Sequence, residues 1–172
     1  MEKKKDTSHF VYGIIIALIM IVFFITVLLT RLWEMYFLVL GISILIFILG
    51  IIFACIQFSK IEKGNIIFGD LFAKGFKTAM LAALILIVWS LLQPIIFSNM
   101  QGEIIAYTTN FMRQKGADNA AINRTIESIK YPNYTLEIAQ KIFGYAIMGA
   151  VASLLGAAIA KKNPQANNPF EQ

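Results

Sequence analysis

Four stretches of this chain hold no Asp, Glu, Lys, Arg or His: Phe10–Thr30, Tyr36–Phe58, Thr78–Phe97 and Ile142–Ala160. Proton coupling, ion binding and catalysis inside a membrane usually need an ionisable group at membrane depth, and these stretches supply none. The chain is equally short of the residues that build metal and nucleophilic sites, with one histidine, His9, and one cysteine, Cys55. A lone thiol cannot close an intrachain disulfide, and within an apolar run it reads as a small packing residue. His9 lies beside the N-terminal lysines at the edge of the first run, where it reads as an interfacial polar group. No catalytic residue, no cofactor site and no metal site is expected, and the protein reads as not an enzyme.

What the chain has instead is length without charge. The four runs contain 19 to 23 residues each. At about 1.5 Å of rise per residue, each makes roughly 28 to 35 Å of helix, enough to cross a hydrocarbon core of about 30 Å. Hydrophobic residues form 58% of the chain and charged residues 15%, far from the balance of a soluble domain. The expected fold is therefore all-α: an integral membrane four-helix bundle, one domain over residues 1–172, with the lipid bilayer as its first partner. The net charge of +5 comes from lysines and arginines beside the spans, so it points to a membrane surface and not to nucleic acid. The basic start Met1–Lys5 looks like the beginning of a signal peptide. The run that follows it is too long for a signal core and ends without a small-x-small site, so the first span is expected to stay attached.

Lys and Arg set the orientation. Nine of them (Lys3, Lys4, Lys5, Lys60, Lys63, Lys74, Lys77, Lys161 and Lys162) fall on the side of the termini. Six fall on the other side, five of those in one long loop that counts less. Both termini are expected in the cytoplasm of an inner-membrane protein. Arg31–Met35 joins the first two spans so briefly that they must run antiparallel, and Trp33 and Tyr36 are expected as an aromatic belt at the membrane interface. In the first two spans Gly13, Gly41, Ser43 and Gly50 are the candidate points of close helix approach.

Before the third span, Phe68, Leu71, Phe72, Phe76 and Ala79 recur near helical spacing, with Asp70, Lys74 and Lys77 towards another face. This predicts an amphipathic start to the span, with Lys74 and Lys77 at the membrane interface and an i, i+4 pair between Asp70 and Lys74. Pro94, near the far end of the span, predicts a kink or helix end over Ser90–Pro94.

Residues 98–141 form the extramembrane segment. A helix is expected over about Gln101–Gln114, ended by Lys115-Gly116, and a second after Asp118 as N-cap. In the second, Ile122, Ile126 and Ile129 repeat at i, i+4 and i+7. That apolar stripe must rest on the first helix, on the membrane surface or on a partner, and it is the candidate partner surface. The fourth span is of a different kind. Gly149, Ala152, Ser153, Gly156 and Ala160 give it a smooth face for helix packing, inside the bundle or in a homo-oligomer. Beyond Lys162, the Pro- and Asn-bearing tail 163–172 is expected to be disordered.

The order of spans, the sequence Ile67-Phe68-Gly69-Asp70-Leu71-Phe72-Ala73-Lys74-Gly75-Phe76 leading into the third span, the loop helix Asp118–Lys130 and the final Ala158-Ile159-Ala160-Lys161-Lys162 resemble the domain of unknown function 4199 family, found largely in Bacteroidetes. The resemblance implies a four-span inner-membrane protein with no established activity and no catalytic residues to carry over. It also implies a membrane glycosyltransferase as a neighbour. The residues and the resemblance together favour a noncatalytic structural or accessory subunit with a membrane protein partner. The alternative is a small transporter or channel.

Overall fold

The structure is a computed structural model that describes residues 8–160, the side chain of Trp33 excepted. The described residues contain no strand. Six helices follow one another: α1 (Ser8–Leu29), α2 (Tyr36–Ile61), α3 (Phe68–Ile96), α4 (Gln101–Gln114), α5 (Asn119–Lys130) and α6 (Tyr134–Ile159). Four of them, α1, α2, α3 and α6, are long and apolar enough to cross a membrane. Only 22–33% of the residues in their apolar stretches are buried inside the protein. A soluble protein does not expose that much contiguous apolar surface, so the outer faces belong against lipid.

The chain forms two compact units, one from the residues up to Leu86 together with those from Ile142 on, the other from Ile87–Lys141. In the first, four helices close around a core of Ile16, Met20, Phe47, Ile51, Cys55, Phe58, Leu71 and the alanines of α3 and α6. α1 lies on α2 through Tyr12, whose ring meets Phe58 edge-on at 5.3 Å. It lies on α3 through Gly13, where an added methyl would come within 2.9 Å of Leu81 Cδ2. On α2, Gly50 accommodates Ile16, and Phe47 meets Tyr145 of α6 at 5.3 Å. Gly41 departs from expectation. A Cβ there would meet nothing within 4 Å, because Gly41 sits on the exposed face of α2. Ser43 is buried and donates to Leu40 O on its own helix.

Two helices, α3 and α6, start well before their charge-free runs. α6 begins at Tyr134, eight residues before the apolar run, because Asn133 Oδ1 accepts from Leu136 N and Glu137 pairs with Lys141 one turn on. These are ordinary helix-start and i, i+4 devices in a polar sequence. α3 begins at Phe68, as its amphipathic start predicts, runs through Pro94 and stops at Ile96. The α1–α2 connection turns through Arg31 in the left-handed region (φ 56°) and a short 3₁₀ turn over Leu32–Met35.

The second unit carries the hairpin. α4 ends with Gly116 in the left-handed region (φ 77°), and Asp118 caps α5 by accepting from Ala121 N at 2.8 Å. α5 then packs against α4. The lysines of the N-terminal tail, Lys161, Lys162 and the tail 163–172 lie outside the described residues.

Candidate functional site: the packing seam and the hairpin

The small-residue face of α6 is the most closely packed feature of the bundle. Gly149, Ala152, Ser153 and Gly156 are all buried, and so is Ala160 just past the helix end. A methyl group on Gly156 would come within 2.8 Å of Cys55 Cβ and 3.1 Å of Ile52 Cα on α2. One on Gly149 would come within 2.7 Å of Ala79 Cβ on α3. A third glycine, Gly75 of α3, completes the junction, since its methyl would lie 2.6 Å from Cys55 Sγ and 3.0 Å from Ser153 Oγ. Three helices thus meet at Cys55, Gly75, Ser153 and Gly156, at distances that only glycine and small side chains permit. Gly75 was not marked by the sequence, where it sits in an amphipathic turn and not in a small-residue stripe.

Ser153 Oγ is fully buried and has no hydrogen-bond partner among the described residues. A buried hydroxyl left in that state costs about 1–3 kcal/mol of desolvation. Ser153→Ala is therefore expected to leave the detergent melting temperature unchanged or raise it. A clear drop would show that the hydroxyl has a partner.

At the end of the bundle where α2 meets α3, Lys74 Nζ lies 2.9 Å from Glu62 Oε1 across the turn, 6.0 Å above the Phe58 ring. The i, i+4 spacing pointed to Asp70 as the partner; the structure gives Lys74 the carboxylate of Glu62, and Asp70 is exposed. The turn brings Glu62 back through Lys63 and Gly64, both in the left-handed region at φ 52° and 79°. The lysine is 22% exposed and the glutamate 40%, so solvent screens the pair. Glu62→Gln is expected to cost less than about 1 kcal/mol in thermal melts. Lys77 and Tyr36 are exposed, and Trp33 falls in the 3₁₀ turn, its side chain lying outside the described set.

On the hairpin, Ile122 is 3% exposed and Ile126 and Ile129 are half-buried. The stripe proposed as a partner surface is therefore largely taken up within the chain, with α5 resting on α4. The opposite face of α5 is the open one. Arg124, Glu127, Ser128 and Tyr131, at i, i+3, i+4 and i+7, line a shallow groove, and Tyr131 is 81% exposed. No three His, Cys, Asp or Glu among the described residues are grouped to hold a metal ion.

The family model described as "Protein of unknown function (DUF4199)" matches residues 11–162. The chain belongs to that family. The match runs from the start of α1 to the end of α6 and takes in both the seam and the hairpin. No curated protein and no solved structure matches the chain. Family membership and four spans of bilayer length make this DUF4199 protein an integral membrane protein of unknown role.

Proposed function

We propose that this DUF4199 protein is a noncatalytic accessory or structural subunit of an inner-membrane complex. Both termini lie in the cytoplasm and the hairpin on the opposite side. The observation that carries this reading is the open groove on α5. It offers an arginine and a tyrosine, residue types that dominate protein interfaces, on a face the hairpin itself leaves uncovered. The seam supports the same reading, because α2, α3 and α6 approach too closely at Cys55 to leave a solute path there. The family resemblance makes a membrane glycosyltransferase the first partner to look for.

Transport is the second reading, favoured by one group of residues on α3. Trp89 Nε1 is buried without a partner among the described residues, Gln93 is half-exposed one turn on, and Pro94 has no N–H to bond the Ser90 carbonyl. These are the groups that would line a path. Purified protein reconstituted into liposomes is expected to give no flux of protons, potassium or small dyes above protein-free vesicles, whereas reproducible flux would support transport over the accessory role. Orientation has its own test: with Cys55→Ala as background, a cysteine at Gln114 is expected to react with an impermeant thiol reagent in intact cells and one at Lys63 is not. The reverse pattern would invert the topology.

A further inference from the structure

Lys77 stands deeper in the bundle than its neighbours in sequence imply. Helix register sets its depth: Ala79 lies against Gly149, and Gly75 lies against Ser153 and Cys55. Lys77 is thus level with about Val151 on α6 and about Phe53 on α2. From those residues α6 continues with exposed apolar side chains, Val151, Leu154, Leu155 and Ile159, and α2 continues free of charge from exposed Phe53 to Phe58, before the exposed Lys60. That is eight further residues on α6 and five on α2 to the end of its charge-free run at Phe58, so Lys77 lies roughly 7 to 12 Å inside their apolar ends.

Its direction is as well defined as its depth. Lys77 is exposed on the face of α3 opposite Gly75, Ala79 and Ala82, which are buried. Towards the middle of the span that outer face continues with half-exposed Met80 at i+3 and with Leu84, 55% exposed, at i+7, while Leu81 at i+4 lies against Gly13 of α1. No carboxylate among the described residues pairs with it. Glu62 is engaged by Lys74, and Asp70 lies seven residues, roughly 10 Å, nearer the helix start. Because Cβ bonds tilt towards a helix's N-terminus, the Lys77 stem snorkels towards the Phe68 end, where headgroups lie.

We infer that Lys77 anchors one anionic phospholipid, with the headgroup phosphate drawn down to its ammonium and an acyl chain lying along Met80 and Leu84. A phosphodiester supplies the missing countercharge, and its tail matches the apolar stripe directly below. A zwitterionic lipid supplies the tail without the net charge. Asp70, on the same face nearer the surface, opposes the incoming phosphate.

The test uses the full-length protein in a neutral detergent, delipidated, with phosphatidylglycerol or phosphatidylcholine added back at equal mole ratio. A ligand that binds only the folded state raises the melting temperature. Phosphatidylglycerol is expected to raise it and phosphatidylcholine is not. The rise is expected to vanish in Lys77→Gln, persist in Lys77→Arg and Lys63→Gln, and grow in Asp70→Asn. Asp70→Asn keeps the lysine and decides independently if Lys77→Gln does not fold. An equal response to both lipids, no response in the natural protein, or a response that survives Lys77→Gln would overturn the assignment. So would a second protein that co-purifies in fixed ratio and is lost in Lys77→Gln with no lipid response; a partner carboxylate would then be the occupant.

Discussion

Replacing Gly156 by leucine is expected to destabilise the bundle by about 1–3 kcal/mol or more, the usual range for overpacking, seen as a lower melting temperature in detergent. The position leaves no slack, since the first added carbon already falls 2.8 Å from Cys55 Cβ and 3.1 Å from the Ile52 backbone. A side-chain sulfur can rotate away; a Cα can move only with its helix. Leu155→Ile, one residue earlier and 46% exposed on the lipid side, is expected to be nearly silent. Gly75 offers a sharper version of the experiment, because the atom nearest to its added methyl is Cys55 Sγ. Gly75→Ala is expected to destabilise, and Cys55→Ala to recover part of the loss, giving a coupling energy within the 0.5–3 kcal/mol or so found for touching residues. Additive effects of the two substitutions would show that α2 and α3 do not meet at this point.

The second large effect is expected on the hairpin. Ile122→Ser removes the side chain most buried between α5 and its support, and burial of an isoleucine stabilises by about 1.5–3 kcal/mol. Two short helices of 14 and 12 residues cannot absorb such a loss easily, because helices of that length hold together through packing more than through propensity. Limited proteolysis should therefore cut Ile122→Ser within α4 or α5 well before it cuts the natural protein. Ile126 and Ile129, half-buried, should cost less when changed singly. Resistance equal to that of the natural protein would mean that Ile122 does not hold the hairpin together.

The helices that could be read from the sequence are those with a one-dimensional signal. Runs free of charge mark the cores of α1, α2, α3 and α6, and Asp118 and Gly116 mark the boundary between α4 and α5 through chemistry local to the chain. The first two turns of α6 escape the same reading, since Glu137 and Lys141 interrupt the apolar run although their pairing supports the helix. Properties that depend on which helices meet were less accessible. Gly41 and Gly75 look alike as isolated glycines, but one faces open space and the other touches two helices. The Ile122 stripe signals that α5 is covered, and the sequence alone does not say by what. Likewise Lys74 finds Glu62 only because the turn at Lys63 and Gly64 doubles back, and the depth of Lys77 emerges only from the register of α3 against α6.

The accessory role is tested most directly by quantifying what co-purifies with the tagged full-length protein in mild detergent, beside a variant carrying Arg124→Ala and Tyr131→Ala. Both side chains are exposed, so the double substitution removes the groove's interface residues without touching the packing of Ile122. The account predicts a membrane protein in fixed ratio with the natural chain, and its loss from the double variant at equal expression and equal protease resistance. Purification of the natural chain alone, or a partner retained in full by the double variant, would contradict it.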